Sequence, residues 1–145
     1  MCIRDRDDWD TVINVHLRGS FLMSRAAQKH MVAAKYGKIL NLSSASALGN
    51  RGQANYSTAK MGLQGLTRTL ARELAGFNIT VNAVGPTPVK TDLTQSVPSG
   101  KLEALIARQA IHRYGEFRDI QNVIDFFIQA ESDFITGQVI FLGGV

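Results

Sequence analysis

The strongest constraint on how this chain can fold is the order of its segments: a short β-rich run, a long helix, then a second β-rich run. Lys38-Ile39-Leu40-Asn41-Leu42-Ser43 reads as a strand, set between Gly37 and the Ser/Gly/Asn-rich stretch from Ser43 to Asn55. The helix covers about Asn55 to Ala75, with Ala59, Leu63, Leu66, Leu70 and Leu74 as its core stripe and Gly76 as a natural stop. Ile79 to Val84 forms the second strand, closed by Gly85-Pro86-Thr87-Pro88, where the prolines forbid continuation. A crossover of that length cannot be a hairpin. The two strands are therefore expected to be parallel and joined in the right-handed sense, which is half of a doubly wound fold.

The flanking segments extend the same pattern. Asp7 or Asp8 can cap a helix from about Trp9 to Ala34, with Val12, Ile13, Leu17, Phe21 and Met31 spaced for burial and Tyr36-Gly37 as its close. Beyond the proline turn lies a polar region, then a helix around Lys101 to Gln109 that reads as part of a lid. Asp119 can cap a helix over Ile120 to Ala130, whose Val123, Ile124 and Phe127 form an apolar face. Gln138 to Leu142 reads as the last strand. The fold class is α/β: a partial doubly wound, Rossmann-like parallel sheet with flanking helices. No repeats, low-complexity tracts or linkers divide it.

Composition narrows the function classes. At 145 residues and 45% apolar content the chain is one soluble globular domain at most. No apolar run approaches the ~20 residues that cross a bilayer, and the start has no secretory apolar core, so a cytoplasmic protein is expected with no membrane partner. The single cysteine, Cys2, excludes an intrachain disulfide framework, and His16, His30 and His112 lack metal-ligand spacing, so no metal is expected. The formal charge of +4 comes from scattered basic residues without interleaved aromatics, which reads as a solvated surface and not as a nucleic-acid interface.

The chemistry concentrates in Tyr56-Ser57-Thr58-Ala59-Lys60, which lies 12 residues after Ser44. A phenol, with an ordinary pKa of about 10, is a poor acid or base near neutrality unless a positive charge stands nearby. Positions four apart share a helix face, so Lys60 can supply that charge to Tyr56. Ser44, at the end of the first strand, can place a hydroxyl against a substrate carbonyl. A Tyr-x-x-x-Lys pair alone is weak. Here it opens a helix, follows a glycine-rich turn and sits behind a strand ending in Ser-Ser, and that context gives it weight.

In these residues the chain resembles the short-chain dehydrogenase/reductase family, and within it the branch that reduces 3-oxoacyl thioesters. The likeness rests on Asn41-Leu42-Ser43-Ser44, the run Gly49 to Lys60, Ile79 to Pro86, Val89-Lys90-Thr91-Asp92 and Ile135-Thr136-Gly137-Gln138. The resemblance implies an oxidoreductase that takes a ketone to a secondary alcohol with NADP or NAD. Tyr56 would be the general acid, Lys60 its electrostatic partner and a holder of the nicotinamide ribose, and Ser44 the group on the substrate carbonyl. Pro86, Val89 and Thr91 would line the nicotinamide. Thr91-Asp92 also reads simply as a helix cap. Homo-oligomers, dimers or tetramers built on the two long helices, are implied as well.

Three positions depart from the family pattern. Members carry one residue more between serine and tyrosine, which would select Ser43, whereas position at the strand end selects Ser44. Ser44 is preferred because a strand holds its register and a loop absorbs a deletion. His16 stands where the family usually has an asparagine whose main-chain carbonyl serves a water on the proton path. Thr87 replaces a glycine, and its β-carbon can narrow the nicotinamide pocket. No glycine-rich phosphate turn occurs anywhere in the chain. The chain thus looks like the C-terminal part of a family domain over residues 8–145, with Met1 to Asp7 an unmatched start, and by itself it should show little activity. Two alternatives stand beside the reductase reading. One is a non-catalytic assembly module that keeps the helix-mediated interface, and the other is an epimerase or dehydratase of the related extended family.

Overall fold

The computed structural model describes residues 6–95, 97 and 99–145; of residues 1–7, read above as an unmatched start, all but Arg6 and Asp7 lie outside the described residues, Cys2 among them. The chain opens with one continuous helical run in three parts: α1 (Arg6–Ile13), a π-helical turn (Asn14–Arg18) and α2 (Gly19–Ala34). It starts earlier than expected, so Asp7 and Asp8 lie in the first turn instead of capping it, where their charge still complements the helix dipole. In the π turn the Gly19 N–H donates to the Asn14 carbonyl, which inserts one extra residue into the helical count. Residues beyond it are rotated relative to those before. Phe21, four after Leu17 and expected to be buried, is therefore exposed, and Ser24 is the buried residue of α2.

Three parallel strands follow in the order β1-β2-β3, with β1 at Gly37–Leu42, β2 at Ile79–Gly85 and β3 at Val139–Phe141. β1 runs beside β2 from Gly37 opposite Ile79 to Leu42 opposite Val84, and β2 meets β3 from Ala83 opposite Val139 to Gly85 opposite Phe141. Each residue of β2 is buried, as a central strand covered on both faces must be. A short 3₁₀ turn, Ala45–Leu48, leaves the end of β1 and leads to α3 (Ala54–Leu74).

α3 lies on β2, and its buried face differs from the leucine stripe read from the sequence. Ala59, Lys60, Leu63, Gln64, Thr67, Ala71 and Leu74 are buried, whereas Leu66 and Leu70 sit half-buried at its flank. Thr67 faces inward because Asn41 of β1 needs an acceptor: Asn41 Nδ2 donates to Thr67 Oγ1 at 2.9 Å, and Thr67 passes a bond to the Leu63 carbonyl at 2.7 Å. The apolar core below it joins Ala71, Leu74, Ile79 and Val81, with Met31, Val32, Ile39 and Leu70 packed around them. A 3₁₀ turn at Ala75–Phe77 follows the helix, and the left-handed residue is Asn78 (φ 57°), not Gly76; the short polar side chain of asparagine tolerates that conformation.

The rest positions the rim of the sheet. α4 (Asp92–Gln95) and α5 (Ser99–Ile106) follow the proline turn, and α6 is Phe117–Ile128. Asp119 does not cap α6. Glu116 is the N-cap and Asp119 the third helical residue, and each side chain accepts from the other's backbone N–H in a capping box. Arg113 clamps Asp119 at 2.7 and 3.1 Å, which with the Glu116 N–H holds that carboxyl down at about 2. β3 is tied to β2 through Thr136, whose Oγ1 accepts the Val81 N–H at 3.0 Å, and through Gly137 (φ 72°), whose N–H reaches the Val81 carbonyl at 2.8 Å.

Candidate active site

The end of β1 sends two adjacent serines to different environments. Ser43 is buried; its N–H donates to the Val84 carbonyl at 2.8 Å, and its hydroxyl donates to the Lys60 carbonyl at 3.0 Å. Ser44, in extended backbone (φ −165°), instead lines a cavity of about 220 Å³ together with Pro86 and Thr87. Its Oγ accepts the Ser46 N–H at 3.1 Å and so caps the 3₁₀ turn, while its own hydrogen remains to be donated. Alternation along an extended chain explains the divergence.

Tyr56 and Lys60 lie on the first turns of α3. Asn55 fixes the helix start: it is buried, its Oδ1 accepts the Tyr56 N–H at 2.8 Å, and its Nδ2 donates to the Asp8 carbonyl of α1 at 3.4 Å. Lys60 is only 8% exposed. Its Nζ donates to the Leu42 carbonyl at 2.7 Å and stands 5.5 Å from the centre of the Tyr56 ring. Burial lowers the Lys60 pKa below its ordinary value. The Leu42 carbonyl is the last of β1, so the strand end orients the ammonium beside the phenol while leaving two of its three hydrogens for another acceptor.

The π turn brings a third ring to this pair. The His16 imidazole meets the Tyr56 ring edge-on, with centroids 5.1 Å apart and planes at 89°. Burial, and then the charge on Lys60, hold the His16 pKa below 6.5. The His16 carbonyl accepts the Ser20 hydroxyl at 2.9 Å. His16 thus presents its side chain to the tyrosine and its main chain to a neighbouring serine. Its position was legible in the sequence, but the ring contact was not, because the π turn that produces it leaves no composition signal.

The loop after β2 carries the remaining candidates. Pro86 accepts the Ala45 N–H at 3.0 Å, which joins this loop to the serine turn. Thr87 is buried against Gly143, whose left-handed backbone (φ 81°) leaves only 3.1 Å between an added β-carbon and the Thr87 γ-methyl. Val89 forms an isolated parallel bridge with Gly115. Thr91 exchanges bonds with Thr94: its N–H donates to Thr94 Oγ1 at 2.8 Å, and its hydroxyl accepts the Thr94 N–H at 3.3 Å, so it caps α4. Tyr56, Lys60 and His16 form one group, and Ser44, Pro86 and Thr87 another. Leu42, Ser43 and Ser44 connect the two through consecutive residues. Leu42 was invisible as a site residue because it acts through a carbonyl, which any residue carries. Among the described residues no group of three or more His, Cys, Asp or Glu could hold a metal ion, and no helix is long and apolar enough to cross a membrane.

Comparison with known proteins places this arrangement in context. A family model described as enoyl-(acyl carrier protein) reductase matches residues 3–144. The chain is 43% identical over 137 residues to the hydroxy(phenyl)methylsuccinyl-CoA dehydrogenase subunit BbsD of Thauera aromatica, covering 94% of this chain and 55% of that protein. It is 41% identical over 139 residues to the 3-oxoacyl-(acyl-carrier-protein) reductase FabG of Thermotoga maritima, covering 95% of this chain and 56% of that one. Among solved structures, a candidate gluconate dehydrogenase from Agrobacterium tumefaciens superimposes with a TM-score of 0.90 at 34% identity, over 97% of this chain and 56% of its own. The chain therefore spans little more than half the length of these relatives.

Proposed function

This chain belongs to the short-chain dehydrogenase/reductase family, and from that membership we propose that it carries the nicotinamide-side reaction centre of an NAD(P)-dependent oxidoreductase. The reaction is reduction of a ketone, such as a 3-oxoacyl thioester, to a secondary alcohol. The observation that carries this reading is the Lys60 ammonium, buried beside the Tyr56 ring and oriented by the Leu42 carbonyl. A buried cation directed at a phenol four residues away on one helix is costly unless it has work to do.

The residues present fit the nicotinamide half of the cofactor. The free hydrogens of Lys60 suit ribose hydroxyls, and the Val89 backbone and Thr91 hydroxyl lie on the loop that follows Pro86, where a carboxamide can be met. The bound dinucleotide, NADP or NAD, supplies the hydride. Ser44 donates to the carbonyl oxygen and polarises it, and Tyr56 gives that oxygen its proton as the carbonyl carbon accepts hydride. Lys60 stabilises the phenolate left behind. In the reverse direction Tyr56 removes the alcohol proton.

The activity belongs to a protein of the relatives' length. No glycine-rich turn for a pyrophosphate occurs in the 145 residues, and weak binding of a dinucleotide by the chain alone is the expected outcome. A second reading, an assembly module, is favoured by one observation: Val15 and Met23 are 63% and 72% exposed, and Leu22 beside Met23 is also exposed. Cofactor-dependent carbonyl reduction separates this non-catalytic reading from the first. Fluorescence titration of NADPH and of NADH against the 145-residue chain, beside Tyr56→Phe and Lys60→Ala, tests the first. Saturable binding weakened by Lys60→Ala, with any carbonyl reduction lost in Tyr56→Phe, supports it. Binding indifferent to Lys60 removes that residue from the cofactor site.

A further inference from the structure

The cavity beside Ser44 is walled largely by apolar groups, among them Leu48, Pro88 and Leu105, but one cation stands in its lining: Arg108. Arg108 follows the end of α5 and is exposed. Its Nη2 lies 3.5 Å from the Gly49 carbonyl on the opposite rim, at the outer limit of a hydrogen bond. The ion pairs among the described residues use Lys38, Arg113 and Arg118, not Arg108. The contrast with Arg113, five positions on, is informative. Arg113 is locked onto Asp119 by two short bonds and serves the fold, whereas Arg108 spans the cavity mouth on a single weak contact to a neutral oxygen, with most of its donor fork unspent.

The neighbouring residue anchors it. Gln109 is 3% exposed, and its Nε2 donates to the Ile111 and Arg113 carbonyls at 3.4 and 3.0 Å, which braces the turn that follows α5. Its Oε1 is buried without a donor, so the wall also holds an unmatched acceptor. A guanidinium over an apolar pocket is suited to one ligand chemistry: an anion that presents two oxygens side by side and is attached to an apolar body.

We infer that Arg108 is a specificity residue of the Ser44 cavity and selects substrates bearing an anionic group, either a carboxylate on the acyl chain or a phosphate on its thioester carrier. This rests on the reductase reading of that cavity. The test is the dissociation constant, from backbone amide shifts of the full 145-residue chain, for three ligands. These are a methyl-ended 3-oxoacyl N-acetylcysteamine thioester, the same thioester ending in a carboxylate, and the methyl-ended acyl group on phosphopantetheine. Each is measured with the wild type, Arg108→Gln and Arg108→Lys.

At least one anionic ligand should bind about 10-fold or more tighter than the neutral thioester, a preference of the size one charge-assisted bidentate contact confers. Arg108→Gln should abolish that preference without changing affinity for the neutral ligand, and Arg108→Lys should restore part of it. The arm that responds identifies the source of the anion. Equal affinities in the wild type, or a preference that survives Arg108→Gln, overturn the inference while leaving the reductase reading in place. If none of the three ligands perturbs the amides around Ser44, the cavity is not a substrate site and both fall together.

Discussion

At the scale of single residues, two neighbouring hydroxyls meet different partners, and substitution separates them. Ser43→Ala removes a buried donor from the Lys60 carbonyl and should cost about 1 kcal/mol of stability, read from urea unfolding. Ser44→Ala removes the cap on the Ser46 N–H and should cost a similar ~1 kcal/mol, but in an active protein of the relatives' length it should also lower kcat by roughly 10²–10³, the size of a lost oxyanion donor. His16 supplies a pH signature. Burial and the Lys60 charge hold its pKa below 6.5 in the folded chain, so the unfolded chain takes up that proton at a higher pH. Stability therefore rises with pH across the window between the two values and is lost as pH falls from about 6.5 towards the folded value. The urea midpoint of His16→Asn should accordingly drop less than that of the wild type between about pH 7 and about pH 5.

At the scale of elements, close packing of β3 on β2 is the feature most exposed to test. A β-carbon added at Gly85 would overlap Cδ1 of Phe141, so Gly85→Ala should destabilise the chain by about 1–3 kcal/mol, with the largest amide shifts in β3. The strand, helix, strand order was legible because glycine, proline and β-branched residues punctuate it, and Tyr56 with Lys60 was legible because four-residue spacing is a property of any helix. What was not legible has a common cause. The exposure of Phe21 depends on a π turn, the inward face of Thr67 on the side-chain amide of Asn41, and the cap of α6 on Glu116 and Asp119 exchanging roles around Arg113. The first is decided by backbone geometry and the second by a partner distant in sequence, while the third turns on which of two nearby acidic residues takes the cap, a choice that Arg113 settles by pairing with Asp119. Thr91, read both as a cap and as a cofactor residue, caps α4 here, and its hydroxyl hydrogen is left for the second task.

At the scale of the whole molecule, a parallel sheet of three strands leaves β1 without a partner on its outer side among the described strands. The helix that precedes it exposes Val15, Leu22 and Met23. Unpaired edges and apolar patches of this kind drive association. The chain should sediment as an oligomer or aggregate, and Val15→Lys combined with Met23→Lys should shift it towards monomer with unchanged helical circular dichroism. The central claim, that this chain holds the nicotinamide end of the cofactor through Lys60, can be tested with a ligand that carries no pyrophosphate. The measurement is a backbone amide titration with reduced nicotinamide mononucleotide. Saturable shifts are expected at Tyr56, Lys60, Val89 and Thr91 and should weaken in Lys60→Ala; shifts absent from these residues, or unchanged by Lys60→Ala, would contradict the claim.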